Sequence, residues 1–368
     1  MTKFTNNGTT KHYKVFFDSS LDAAEGKNLA DDFMAVCDND FEIIQGWFGG
    51  IDPPSVKLIH IEITDLTGGA SWNNPSGFVH DLGLWQPKII VQPRKNAQVD
   101  FVRYLVVCEL AEMFMLAQGK GWGFNHSGFF TAGDEESIGE GLSRFLGIQF
   151  QLVIGTGGVA PSGCGITADW LNGKRRNFID TNPDIVINSA DTPAEQLKEA
   201  KIDGCPSLFL FYLHDQLLFS VPEIINAGSP TMAQVYTNLT GKKDAWKSFF
   251  QLIKLHYPSG KNVMNETETI FPVSDLIAFL GFPQVINLEY TSASVVLNNV
   301  ALGDVWFTIE CDDPTIALEN PTALYIPTGS DSNQLEFKVV GNIAVPRKVN
   351  FLATYAGKTV SYSTEVLP

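Results

Sequence analysis

The chain has 368 residues, 44% hydrophobic and 18% charged, with a formal net charge of −16. This is globular composition rather than that of a disordered polymer, and the length exceeds one typical core, so two or three domains are expected. The acidic balance disfavours nucleic acid and anionic membrane surfaces as partners, since both require a basic patch.

The first residues, MTKFTNNGTTKHYKVFF, are polar and lack the apolar region of a signal peptide, and no apolar run reaches the length of a membrane span. The expectation is a chain that is cytoplasmic as encoded, any extracellular role requiring a non-Sec route. The cysteines at 37, 108, 164, 205 and 311 are odd in number and scattered without C-x-x-C, which predicts reduced thiols.

Residues 12–17 alternate as a first strand, and 25–47 carry a helical pattern ending at Gly49-Gly50. A second strand spans 56–63, a glycine-rich loop follows at 68–72, and 87–92 reads as another strand; either 68–72 or 88–92 could serve as an edge. Val99 to Leu116 is a long helix, apolar almost all round and bounded by Gln98 and by Gly119 with Gly121, hence buried. His60 within the second strand and His126 in a glycine-rich loop read as ordinary core, surface or solvated residues. The glycines between 155 and 165 form a loop without a phosphate-binding pattern. Beyond it, Thr192-Pro193-Ala194-Glu195 is a capping box, Pro206 opens an apolar run, Ser229-Pro230 caps a further helix, and 243–256 is another. From Val285 onward β-branched and aromatic residues alternate with polar ones between turn residues, the pattern of a β-sandwich.

Within the long helix, Cys108-Glu109-Leu110-Ala111-Glu112 sets Cys108 and Glu112 at i and i+4, on one face, with Glu109 alongside. That is the spacing of H-E-x-x-H, in which two histidines bind zinc and the glutamate is general base. Downstream, Ser137-Ile138-Gly139-Glu140-Gly141-Leu142-Ser143-Arg144 resembles the second helix of the gluzincin metallopeptidases. The resemblance covers roughly the first three quarters of the chain. It implies metal positions at Cys108, Glu112 and Glu140, a general base at Glu109 if the protein is active, and Tyr212 and His214 as oxyanion candidates in the helical lobe. Both histidine positions are replaced, by Cys108 and Glu112. The segments DPTIALENPTALYIPTGSDSNQLEFKVV and VNFLATYAGKTVSYSTEVLP look like bacterial immunoglobulin-like modules.

The fold class implied is an α+β zincin-like lobe (a small mixed sheet plus helices, 1–153), a mainly α second lobe (154–283), and an all-β immunoglobulin-like sandwich (284–368). Two functions follow. In the first, the protein is a pseudopeptidase: a zincin-like scaffold that binds a protein or peptide in its groove or on the immunoglobulin-like module. No cofactor is then expected, although the carboxylate cluster could accept calcium. In the alternative it is a metal-dependent peptidase or hydrolase with a Cys/Glu/Glu zinc set. An all-anionic ligand set weakens zinc as a Lewis acid relative to neutral imidazoles.

Overall fold

The computed structural model describes residues 4–19, 21, 23–53, 58–64, 69–73, 87–93, 97–122, 137–156, 204–256, 277–286, 291–297, 305–318, 324–327, 329–355 and 358–368. It is mixed α and β, with several sheets. Two compact units emerge: Met1–His214 with Phe219–Lys243 and Met264–Ile270, and Asp215–Leu218 with Asp244–Val263 and Phe271–Pro368. The capping box at 192–195, the basic triplet 174–176 and His126 lie outside the described residues.

In the first unit, β1 (Phe4–Thr9) and β2 (Tyr13–Asp18) form a hairpin, and β2 runs parallel to β3 (Ile59–Ile63). The sheet order is β1-β2-β3-β5-β4: β5 (Lys88–Gln92) lies parallel to β3, and β4 (Gly69–Asn73) closes the edge antiparallel to β5. Tyr13, Val15 and Phe17, Ile59, Ile61 and Ile63, and Ile89 and Val91 are the buried alternate positions. β1 was not expected, because after Phe4 its sequence TNNGT offers only short polar residues and glycine.

The helical pattern over 25–47 predicts one helix, but there are two, α1 (Ala23–Met34) and α2 (Cys37–Trp47). The restart puts Asp38 in the first turn of α2. There its carboxylate accepts from the Thr10 hydroxyl (2.8 Å) and from the backbone N–H groups of Lys11 (2.9 Å) and His12 (3.0 Å). The hairpin tip is thereby pinned to the positive end of α2. His12 stacks on Phe41 of the same helix, centroids 3.8 Å apart.

Helix α3 (Val99–Gln118) is buried on nearly every side, and Gly119 (φ 65°) terminates it, donating its N–H to the Met115 carbonyl. Helix α4 (Ser137–Val153) packs along it, and α5 (Gly204–Phe211) packs on α4. A π-helical turn, Tyr212–Gln216, continues α5. Helix α6 (Val221–Asn226) opens on a reciprocal Ser220–Glu223 capping box with Pro222 in its first turn. The S-V-P-E signature was present in the sequence but not read. The cap of α7 (Met232–Thr240) is Thr231, whose hydroxyl accepts from the Gln234 N–H, rather than Ser229. The Pro230 ring lies against Gly121.

The second unit contains α8 (Ala245–His256) and two sheets. One is ordered β10-β12-β8-β6, from Ile316–Leu318, Ser332–Val339, Thr291–Leu297 and Ile277–Leu280. The other is ordered β11-β9-β13-β14-β7, from Leu324–Ile326, Val305–Cys311, Arg347–Tyr355, Lys358–Val366 and Val285–Ile286. Phe337 of β12 meets Phe351 of β13 at 4.8 Å, and Phe282 touches both rings, so the sheets pack face to face. β6 begins seven residues before the boundary at 284 that the sequence suggests, and it is hydrogen-bonded into the first sheet.

Candidate functional site

The register of α3 against α4 fixes what the motif residues can do. The Gln151 amide donates to the Asp100 carbonyl (3.0 Å), at the start of α3 and the end of α4. A methyl group built on Gly147 would lie 2.7 Å from Tyr104 Cε2 and 2.8 Å from Cys108 Sγ. The helices therefore run antiparallel, and continuing the register brings Glu140, two turns before Gly147, to the level of the last turns of α3. On another side of α4 the same kind of close approach occurs at Gly141, where a methyl would lie 2.6 Å from Pro206 Cβ. The two glycines let α4 press closely against α3 and α5.

Cys108 (3% exposed) and Glu112 (2%) are both buried on α3, and Glu109 is half-buried beside them. Glu140 is 3.8 Å from Arg144 one turn on, a loose ion pair within α4. Ser143 is fully buried, and its hydroxyl donates to the Glu140 carbonyl. Tyr212 is fully buried in the π-helical turn, and His214 meets Phe145 of α4 edge-on at 5.8 Å. His60 lies beside Phe16 in the sheet, its imidazole pushed toward the neutral form by burial.

Among the described residues no three of His, Cys, Asp and Glu converge as a metal would require. Cys108 and Glu112 share their helix, and the Cys108 sulfur lies beside Gly147 of α4.

The positive charge of α3 is engaged elsewhere. Arg103 grips Asp40 of α2 through Nε–Oδ2 and Nη2–Oδ1 contacts, both 2.8 Å, reaches Asp100 at 3.2 Å, and lies over the Phe150 ring. Burial holds the Asp40 carboxyl above its ordinary range despite that partner. This bracket joins α2, α3 and α4 behind the motif. Sequence reading missed it because its members are far apart in the chain.

No described protein family matches the chain, and no curated protein sequence does. Among solved structures, WR4, an MSP family member of C. elegans, is similar over 25% of this chain and 95% of its own, at 8% identity and TM-score 0.19. The E. coli chaperone DraB shares 13% identity over 25% of this chain and 53% of its own, at TM-score 0.20. The VesB protease of Vibrio cholerae shares 17% over 24% and 30%, at 0.16. Likenesses this slight carry no argument about fold or activity.

Proposed function

We propose that the first unit is a zincin-like scaffold that acts by binding a protein or peptide in its groove rather than by hydrolysis, with an immunoglobulin-like sandwich attached. What carries this reading is the burial of Cys108 against Gly147 within an antiparallel helix pair. The pair and the mixed sheet with an antiparallel edge strand, β4, accord with the gluzincin resemblance, while the first ligand position is a thiol packed into a helix crossing. An antiparallel edge strand can take an extended peptide by strand addition.

The decisive measurement is metal content by elemental analysis of protein purified without chelator, together with hydrolysis of unfolded casein. The expected result is far less than one zinc per chain and no cleavage. One tight zinc per chain, with casein cleavage that disappears in Glu109→Gln, would overturn the proposal in favour of a hydrolase with Cys108, Glu112 and Glu140 as ligands.

A further inference from the structure

The outward face of the second sheet in the β-unit carries an exposed aromatic pair. Side chains on β9 alternate, with Val305, Phe307 and Ile309 buried and Trp306, Thr308 and Glu310 exposed. Trp306 is 55% exposed, and its direct cross-strand neighbour on β11 is Tyr325, ring centroids 4.8 Å apart. An exposed tryptophan steadied by a second ring is a rigid apolar platform with little rotamer entropy left to lose on binding. Beside it the Gln251 amide of α8 donates to the Trp306 carbonyl (3.1 Å), which fixes that amide at the platform's rim with its own carbonyl oxygen still an acceptor.

Beyond the aromatic pair the face carries rows of short polar groups, with Leu352 between them opposite Glu310 and Ser361, and Val285 at the edge opposite Glu365. Thr308, Thr354 and Thr359 stand in one row across three strands, with Thr354 and Thr359 hydroxyls 2.9 Å apart. In a second row, Ser363 donates to Asn350, whose amide donates to Asp312 (2.6 Å). These groups are tied to one another and set on strands, so they are pre-ordered donors and acceptors.

This combination selects its ligand class. A protein interface would be expected to centre on a larger apolar core. An anionic polymer is opposed by Glu310, Asp312 and Glu365, of which, among the described residues, only Glu365 has a cation directly opposite, Lys348. A pyranose offers what remains: an apolar C–H face for an indole ring and a rim of hydroxyls for threonine, amide and carboxylate oxygens. We infer that this face is a binding site for a neutral polysaccharide, with Trp306 as its anchor. The assignment stands on the β-unit alone and is independent of the zincin-like reading.

Affinity electrophoresis of the full chain tests it, in native gels cast with hydroxyethylcellulose, xylan, galactomannan or laminarin, and with dextran sulfate as the anionic control. Retardation is expected in at least one neutral gel and not in dextran sulfate. Trp306→Ala should weaken it by roughly tenfold or more without lowering the thermal midpoint, because that ring is largely in solvent. Thr308→Arg, which covers the row beside the platform, should do the same and serves if the first variant folds poorly. No retardation in any neutral gel, or equal retardation of the unmodified protein and both variants, overturns the assignment.

Discussion

Both units contain an aspartate held in two-point contact by an arginine, and the two pairs differ in what surrounds them. Asp40 and Arg103 are 5% and 12% exposed, and desolvation raises the Asp40 carboxyl above its usual range. Asp313 is similarly covered (9%), but Arg347 is 35% exposed, and Thr315 donates to Asp313 from both its hydroxyl (2.7 Å) and its backbone N–H (2.8 Å). There Arg347, seconded by Thr315, holds the carboxyl down at about 2. The same two functional groups thus carry shifts of opposite sign. Burying both charges leaves little net stabilisation, whereas a partly hydrated pair with extra donors stabilises outright.

The largest effect should come from breaking the buried pair. Arg103→Ala leaves Asp40 without its counter-charge and is expected to cost about 3–5 kcal/mol in urea unfolding. Replacing both members, Asp40→Leu with Arg103→Met, should recover most of that loss. If the double variant is no better than the single, Arg103 acts chiefly through its stacking on Phe150, and the contrast with the second pair weakens.

The sandwich pair sharpens the comparison through pH. Its folded carboxyl is depressed from 3.8 to about 2, so its contribution is present in full above pH ~4 and is lost as pH falls through ~2. Asp313→Asn should therefore cost roughly 2 kcal/mol at pH 7 and converge with the unmodified protein near pH 2. Asp40, raised in the folded state, works in the opposite sense: its contribution is lost as pH rises. A penalty for Asp313→Asn that stays constant down to pH 2 would show that the amide fails by shape rather than by charge.

Backbone strain gives a smaller handle. Leu218, at φ 65°, follows the π-helical turn where the Phe219 N–H closes on the Leu213 carbonyl, and it is 68% exposed. A left-handed leucine in solvent has neither a packing nor a conformational gain, so Leu218→Gly should raise stability by about 1 kcal/mol. A loss instead would mean the leucine makes contacts that matter. The smallest effect expected is at His12. Burial lowers its pKa, so its stabilisation is complete above pH ~6.5 and declines as pH falls through the lower folded value. Melting followed from pH 7.5 to 5 should show this decline, and His12→Phe should flatten it.

The elements best read from sequence are those whose own periodicity decides them. The helix at 99–116 appears as Val99–Gln118 with Gly119 as its left-handed stop, and the strand at 87–92 as Lys88–Gln92. The break between α1 and α2 was not legible, because its cause is Asp38 meeting the hairpin tip some 26 residues earlier in sequence. The candidate site was half legible. Spacing alone puts Cys108 and Glu112 on one face, since i and i+4 always share one. Where Glu140 stands relative to them depends on how closely two helices approach, and the sign of that was Gly141 and Gly147, the two glycines of the segment at which an added Cβ would meet a neighbouring helix.

Gly147 has a consequence for how this region can vary between related chains. Any side chain there would drive into Tyr104 and Cys108, and any larger residue at 108 would meet the α4 backbone that Gly147 brings near. Positions 104, 108 and 147 are therefore sterically coupled, so a larger residue at any one of them needs room made at the others. A histidine arriving at 108 alone would be an oversized lodger in this helix crossing, tolerated only after the crossing had widened, so the present cysteine is easier to keep than to exchange.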